Sequence, residues 1–536
     1  MPLPCVAILL SGCTQSGNHE DSHLVSSESR RTDGSDGDTD SHSPRDLPAE
    51  EVQLCGPAAG GPHWLVEGES IQAQVSCFSG LQLPGSDFTF SALPDGAVYN
   101  AATGTLHWTP DLSQAAVYEI EIHVDRLNEV GSVKIGVADN FDHPQNVPIL
   151  DATTYTEEYG LPVLHLQPTP ALTREFYTPA KIIYGGHIYT AEAKRRGASS
   201  LEYPKNSYTL KFTKEDKFND EDAAGGFVEK RKIVLTTTFD DNTYIRQRLA
   251  FSLWNRLDPN HIQVQAYNAV VFLEGQYHGL YMVGDHIDGY LMEDHGLWQD
   301  GNLFKARTHD ANFRLTQYDE DPKATLHDGL SKSEGFPVEG EEGDFDDLDE
   351  FIDFVANSNS QTFATQINTR INLRDYENWW IFATAISAED SLGKNSYHYH
   401  DPNGGPWRLI PWDFNHSFGQ DWLTLRVRSD APPEDATELN NLFARMLEEP
   451  TIGPQLRARY LLTLENQYRL EDILSLIDLW YAQNLQSALR DQSKWGEAYF
   501  QYEPWNWRTD FLSHEQEVEY LRDWLTARWA FLVGLG

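Results

Sequence analysis

The stretch that decides the fold runs from residue 388 to residue 419. It begins Ala388-Glu389-Asp390-Ser391-Leu392-Gly393-Lys394-Asn395-Ser396-Tyr397-His398-Tyr399-His400. It continues Asp401-Pro402-Asn403-Gly404-Gly405-Pro406 and ends Trp407-Arg408-Leu409-Ile410-Pro411-Trp412-Asp413-Phe414-Asn415-His416-Ser417-Phe418-Gly419. Asp390 and Asn395 stand as Asp-x4-Asn, directly after the apolar helical segment 376–386. A strand follows, turns through Pro-Asn-Gly-Gly, and returns to Asp413 in an Asp-Phe-Asn triplet. Asp-x4-Asn alone carries no weight, because Asp and Asn routinely cap turns and helix ends. The hairpin gives it meaning, since the returning strand brings Asp413 beside Asn395. Two carboxylates and an amide that converge repel unless a cation sits among them.

Phosphoryl transfer needs such parts: one carboxylate for the attacking hydroxyl, and an Asn with a second carboxylate for Mg²⁺ against the phosphates. Protein kinases arrange them similarly, as Asp-x4-Asn, a hairpin, then Asp-Phe-Gly. Working outward, the large domain begins near residue 145. Segments 147–150, 163–166, 208–212 and 232–236 read as strands. Segment 244–257 reads as a helix with Ile245, Leu249 and Leu253 on one face. Segments 269–273 and 278–283 form a hairpin around Glu274-Gly275-Gln276-Tyr277. The acidic stretch 318–347 reads as an exposed loop or insert, and helices follow: Leu348, Phe351, Ile352 and Val355 make one stripe. Pro454 opens a later helix, and Ile473, Leu476, Ile477 and Trp480 mark the next. Strands first and helices later make this domain α+β. His398 and His400 lie on one strand face, where packing is the expected role.

Several motifs together resemble the CotH family of kinase-like proteins. These are Asp390 to Tyr399, Ile410-Pro411-Trp412-Asp413 and Ser417-Phe418-Gly419, with Arg196-Gly197-Ala198-Ser199-Ser200 and Pro204-Lys205-Asn206-Ser207-Tyr208 upstream. Glu274-Gly275-Gln276-Tyr277-His278-Gly279-Leu280-Tyr281 and Gly301-Asn302-Leu303-Phe304-Lys305 also match, so the resemblance covers about 145–500. It implies an atypical kinase fold that uses ATP and Mg²⁺, or Mn²⁺, to phosphorylate Ser or Thr of surface or secreted proteins. By position, Asp390 and Asp413 are the catalytic acids, and Asn395, Asp413 and Asn415 the metal ligands. Arg196, Gly197, Lys205, Lys211, Lys305 and Asp285 are nucleotide-binding candidates. Two departures stand out: Asn415 replaces the family's usual acid, and Asp285 replaces a Glu expected to meet a nucleotide lysine. The competing reading is a non-catalytic surface-binding or adhesion protein on a kinase-like scaffold.

The rest of the chain reads as accessory. Residues 51–140 alternate in short runs such as 71–75 and 118–124 between Gly, Pro and Asp turns, the pattern of a β-sandwich. Leu93 to Asn100 and Thr103 to Pro110 resemble the Ig- or cadherin-like modules of bacterial surface proteins. The expected architecture is therefore multidomain, an all-β Ig-like sandwich followed by the α+β kinase-like domain at 141–536. Residues 14–50 are polar and nearly free of aliphatics, which suits a disordered linker. Val6 to Leu10 followed by Ser11-Gly12-Cys13 resembles a bacterial lipobox, so residues 1–13 are read as a lipoprotein signal and the expected site as the bacterial cell surface. Membrane attachment is then by lipid anchor alone. The four cysteines all fall in the first 77 residues, and Cys55 with Cys77 are candidates for a disulfide. A formal charge of −42 excludes a sequence-independent nucleic-acid binder, which needs clustered Lys and Arg.

Overall fold

The structure, a computed structural model, describes residues 52–54, 62–75, 83–124, 126–220 and 226–535. The signal, the linker, Cys55 and Cys77 lie outside the described residues.

Strands β1 (Val52–Leu54), β2 (His63–Val66), β3 (Ile71–Val75), β4 (Phe88–Phe90), β5 (Val98–Asn100), β6 (Thr105–Trp108), β7 (Ala116–Val124) and β8 (Glu129–Ala138) build two four-stranded sheets. Their orders are β1-β3-β6-β5 and β2-β8-β7-β4. Strict alternation along β3 buries Ile71, Ala73 and Val75. These meet Ile120, Ile122, Val124, Ile135 and Val137 of the other sheet in one core. Burial of both inner faces, rather than intrinsic propensity, holds such a pair of sheets together.

The sandwich is locked to the larger domain. Within the sandwich, the buried Glu67 carboxylate accepts the backbone N–H groups of Ala115, at 2.8 Å, and Asn140, at 3.1 Å, and so fixes the end that meets the larger domain. The Arg490 guanidinium, from a late helix, reaches Glu158 at 2.9 Å and the Asp139 carbonyl at 2.7 Å. Burial, reinforced by Glu67 and Glu158 and opposed by Arg490, pushes the Asp139 carboxyl up to about 7.

After β9 (Glu157–Glu158) come β10 (Leu161–Pro168), β11 (Thr178–Tyr184), β12 (His187–Arg196), β13 (Ser207–Phe212), β14 (Phe218–Asp220), β15 (Phe227–Lys230), β16 (Lys232–Thr237), β17 (Ala266–Leu273) and β18 (Gln276–Asp285). The order β11-β12-β13-β16-β18-β17-β10 closes on itself, because β10 pairs with β17 in parallel and with β11 antiparallel. The result is a seven-stranded barrel without free edges. Leu164, Ile182, Leu210, Ile233, Leu235, Val271 and Val283 fill its interior. Glu274 (φ +54°) and Gly275 (φ +79°) form the two-residue turn between β17 and β18, with both central residues left-handed as a tight hairpin requires.

A second sheet, ordered β20-β19-β21-β22, faces the barrel's mouth through β19 (Asn302–Ala306), β20 (Leu330–Glu334), β21 (Ser396–His400) and β22 (Arg408–Pro411). Helices α1 (Arg246–Leu257), α2 (Gly289–Asp294), α3 (Asp346–Asn357), α4 (Ser360–Arg370), α5 (Leu373–Ala385), α6 (Asn441–Glu448), α7 (Ile452–Asn466), α8 (Leu470–Phe500) and α9 (His514–Val533) pack around it. The α5 side chains Trp379, Trp380, Ile381 and Phe382 are fully buried against Leu409, Ile410 and Phe414.

Two expectations change. Segment 147–150 forms no strand; it is a loop pinned by Ile149 N–H to the Gly275 carbonyl at 2.9 Å. The acidic stretch 318–347 is more than a loop, because it contributes β20 to the sheet that lines the site.

Candidate active site

The hairpin of β21 and β22 runs in the register Ser396–Pro411, Tyr397–Ile410 and His398–Leu409. That register sets Asn395 and Trp412 side by side, with the Trp412 N–H on the Asn395 carbonyl at 3.1 Å. Asp413 comes immediately after. Asn395 (φ +56°) and Asp413 (φ +66°) both adopt the left-handed conformation, which Asn and Asp tolerate better than other side chains. Each turns its side chain toward a cleft of about 590 Å³ between barrel and sheet.

The cleft is basic in a strongly acidic chain. Arg174, Lys194, Arg195, Arg196, Lys305, Arg307 and Lys332 line it, against the acids Asp240, Glu334, Glu339 and Asp413. Several of these cations lean on π faces or carbonyls. The Arg196 guanidinium lies 4.9 Å from the Trp412 ring centre, Lys305 Nζ lies 5.4 Å from that of Tyr397, and Lys332 Nζ donates to the Asp344 carbonyl at 2.9 Å. Their charges are left for a ligand. Gly197, next to Arg196, has φ +130°, and a Cβ there would stand 2.3 Å from Ser200 Oγ, so the backbone turn requires glycine.

Asp390 is the most heavily engaged carboxylate of the site. It accepts Asn395 Nδ2 at 2.9 Å and Lys394 Nζ at 2.7 Å, with His309 Nε2 at 3.4 Å and His416 Nδ1 at 3.9 Å. Burial opposes its charge, but the bonds from His309 and His416 and the Lys394 ammonium outweigh it and hold the carboxyl far below its usual range. Asp413 is the opposite case. Its carboxylate makes no hydrogen bond or ion pair with a described residue, and burial pushes its pKa up, with His416 and Lys305 opposing and Asp390 and Asp240 adding to the rise. Between them sits His416, 3.1 Å from Asp240. Burial disfavours its cation, yet hydrogen bonds to Asp240 and Asp390 and the field of Asp413 push its pKa up to about 10. Asp390 and His416 also face a second pocket of about 240 Å³ that includes His309, Tyr318, Asp421 and Trp422.

The structure brings Arg196, Gly197, Lys305, Asn395, Asp413 and Asn415 to the one cleft, while Asp390 lines the second pocket and is bonded to Asn395. It places three predicted residues elsewhere. Lys205 is fully buried, and its three N–H groups are engaged by Asp491 at 2.6 Å, the Leu280 carbonyl at 2.6 Å and Thr238 Oγ1 at 3.0 Å. It therefore ties the barrel to α8 and has no donor left for a phosphate. Lys211 pairs with Glu192 at 2.9 Å on the barrel surface, away from the cleft. Asp285 does reach a lysine, but that lysine is Lys230, at 2.9 Å, which also holds Asp294. His398 and His400 take the expected packing roles. His398 is buried against Tyr376, and His400 bonds Asp347 at 2.7 Å and stacks on Trp407.

Sequence reading missed Asp240, His416 and His309. His416 lay inside the quoted stretch, but its significance depends on the Asp240 carboxylate from elsewhere in the chain. Asp240 comes after β16 as one acid of an Asp-Asp pair, with no spacing that sets it apart.

The family model described as CotH kinase protein matches residues 193–532, well over half of the chain. The chain belongs to this family. The CotH match opens inside β12 and closes at the end of α9, so it takes in the cleft except Arg174 and leaves out the sandwich and the first barrel strands. Over 277 residues the chain is 24% identical to the inner spore coat protein H of Bacillus subtilis (strain 168), covering 52% of this chain and 71% of that protein. No helix among the described residues is long and apolar enough to cross a membrane.

The metal that a CotH kinase implies can be tested against the donors present. Among the described residues no group of three or more His, Cys, Asp and Glu side chains is arranged to hold a metal ion. The cleft offers a different set: the unpaired Asp413 carboxylate, the Asn395 carboxamide, and Asn415 Oδ1, which is buried without a hydrogen-bond partner. One carboxylate with carboxamide oxygens suits a hard cation such as Mg²⁺, which keeps waters and draws its other ligands from phosphate. The residues present fit the group.

Proposed function

We propose that this CotH protein transfers the γ-phosphate of ATP to Ser or Thr hydroxyls of proteins at a cell envelope or surface. The observation that carries the reading is the cleft: seven Lys and Arg side chains, none in an ion pair with a described residue, converge beside Asp413 in a chain of charge −42. Unpaired, partly buried cations are costly unless a polyanion completes them. A nucleoside triphosphate meets that need.

Each residue then has a task. Arg196, Lys305 and their neighbours hold the phosphates, and the Gly197 turn lets the backbone approach them. Asp413, Asn395 and Asn415 Oδ1 would hold Mg²⁺, which supplies charge neutralisation for the transferred phosphoryl group. Asp390 accepts the hydrogen bond of an acceptor hydroxyl that enters from the pocket of Tyr318 and Trp422. With its pKa held low, Asp390 orients that hydroxyl and takes its proton only late, as a loose transition state demands. The His416 cation separates the two acids and limits their repulsion. The surface location rests on the spore-coat name of the Bacillus relative and on the lipobox-like Leu10 to Cys13, with attachment by a lipid anchor. The N-terminal sandwich, an Ig- or cadherin-like module on this reading, spaces the catalytic part from the anchor.

The test is a Ser/Thr peptide library incubated with the protein, ATP and Mg²⁺ and read by mass spectrometry. Peptides that gain one phosphoryl group with wild type and not with Asp390→Asn support transfer. A library left unchanged by wild type, whose melting temperature also ignores ATP with Mg²⁺, leaves a surface-binding scaffold as the function.

A further inference from the structure

Asp240 enters the site from the barrel, in the connection between β16 and α1, while Asn415 and His416 enter from the end of the second sheet. A single oxygen joins them. Asp240 Oδ2 accepts Asn415 Nδ2 at 2.6 Å, His416 Nε2 at 3.1 Å and the Tyr203 hydroxyl at 3.2 Å. Asp240 is 3% exposed. Asn415 Nδ2 and His416 Nε2 stand 3.0 Å apart because both aim at that oxygen.

A carboxamide has one donating and one accepting end. With Nδ2 held by Asp240, Asn415 Oδ1 must point the other way, and there it is buried without a partner. The flipped amide would set acceptor against acceptor at the same short distance, so the hydrogen bonding fixes the orientation. An aspartate at 415 would face the Asp240 carboxylate instead, and two unshared carboxylates at that separation repel strongly.

We propose that Asp240 is a positioning residue of the cation site: it locks the Asn415 carboxamide with Oδ1 toward the cleft, and it supplies from the barrel the negative charge that position 415 lacks. The pair Asp240–Asn415 is thus the reverse of an Asn–Asp pair with the same charge and the same bond. This rests on the metal–nucleotide reading of the cleft.

The test is a double-mutant cycle of Asp240→Asn, Asn415→Asp and the two combined, on the full chain. Thermal unfolding in EDTA reads the pair without metal, and electron paramagnetic resonance of free Mn²⁺ in the presence of ATP reads the cation site. Each single variant should melt about 2–4 °C lower, and Asp240→Asn should bind Mn²⁺ about tenfold or more weakly, as expected when an outer-shell partner is lost. The double variant should regain both, to within about threefold in Mn²⁺ affinity. If Asp240→Asn fails to fold, Asn415→Asp against the double variant still decides. Additive losses, or no losses, overturn the proposal. Thermal rescue in a protein whose wild type takes up no Mn²⁺ overturns the metal–nucleotide reading and with it this role for Asp240. Mn²⁺ uptake without rescue overturns the role of Asp240 alone.

Discussion

Replacing Asp413 by Asn separates a binding group from a structural one. A structural carboxylate is paired, and losing it destabilises the fold. Asp413 has no hydrogen bond or ion pair with a described residue, and its raised pKa means that burial penalises its charge. Asn is nearly the same size and is tolerated at φ +66°. Asp413→Asn should therefore stabilise the metal-free protein by about 1 kcal/mol, the low end of the penalty for an unsatisfied polar group, because the residue is half-buried and its carboxylate still meets solvent. That corresponds to a few degrees in melting temperature. The sign with pH comes from linkage. A carboxyl whose pKa is raised on folding costs stability once pH exceeds its folded pKa, so the variant's gain appears at neutral pH and vanishes as pH falls below the ordinary carboxylate range. The same variant should lose the stabilisation that ATP with Mg²⁺ gives wild type. The assay is scanning calorimetry in EDTA at several pH values, repeated with ATP and Mg²⁺. A metal-free Asp413→Asn protein that melts several degrees lower at neutral pH would refute the reasoning, because the carboxylate would then be holding the fold.

Other consequences concern the residues around the cleft. Lys205→Met leaves the buried Asp491 charge without its partner and should cost about 3–5 kcal/mol in denaturant unfolding, whereas a Lys205→Met/Asp491→Leu pair should recover most of it; ATP affinity of the folded protein should not change. Lys305→Ala and Arg307→Ala should each weaken ATP binding about tenfold, measured by calorimetric titration, since charge-assisted bonds to phosphate contribute about 1.5–3 kcal/mol. Neither should alter unfolding, because neither side chain is in an ion pair. Asp139, with its pKa at about 7 in the seam beside the sandwich, binds its proton more tightly folded than unfolded. Wild-type stability should thus fall as pH rises from about 4 to 7. Asp139→Asn should be more stable than wild type at pH 8, by at most about 4 kcal/mol, with the advantage shrinking toward pH 4, as melting curves across that range will show.

Much of this site was legible in the chain because it is local. Asp390, Asn395 and Asp413 lie within one helix-to-hairpin unit, and a two-stranded return fixes their juxtaposition whatever surrounds it. The hairpin of β17 and β18 was legible for the same reason, since Glu274-Gly275 suits its tight turn. Closure of the barrel was not, because β10 pairs with β17 and β11 in a ring that alternation cannot announce. The lysines show the limit most clearly. Lys205 and Lys305 look alike along the sequence, yet Asp491 of α8, 286 positions from Lys205, consumes the one, while Lys305 stays free beside Tyr397. Asp240 and His416 were illegible because their meaning lies in each other, across 176 positions. The acidic stretch 318–347 misled because its charge hid Ser331 and Lys332, which pair with β19 and face the cleft.

The most direct test of the central claim is transfer of labelled phosphate from γ-labelled ATP, with Mg²⁺ or Mn²⁺, by residues 140–536 and by the full chain, with Asp413→Ala as control. The account predicts metal-dependent labelling of the protein itself or of an added acceptor, abolished in the control. No labelling with either metal, from protein that is folded and binds ATP, would contradict it and leave the basic cleft as a nucleotide-binding scaffold without transfer.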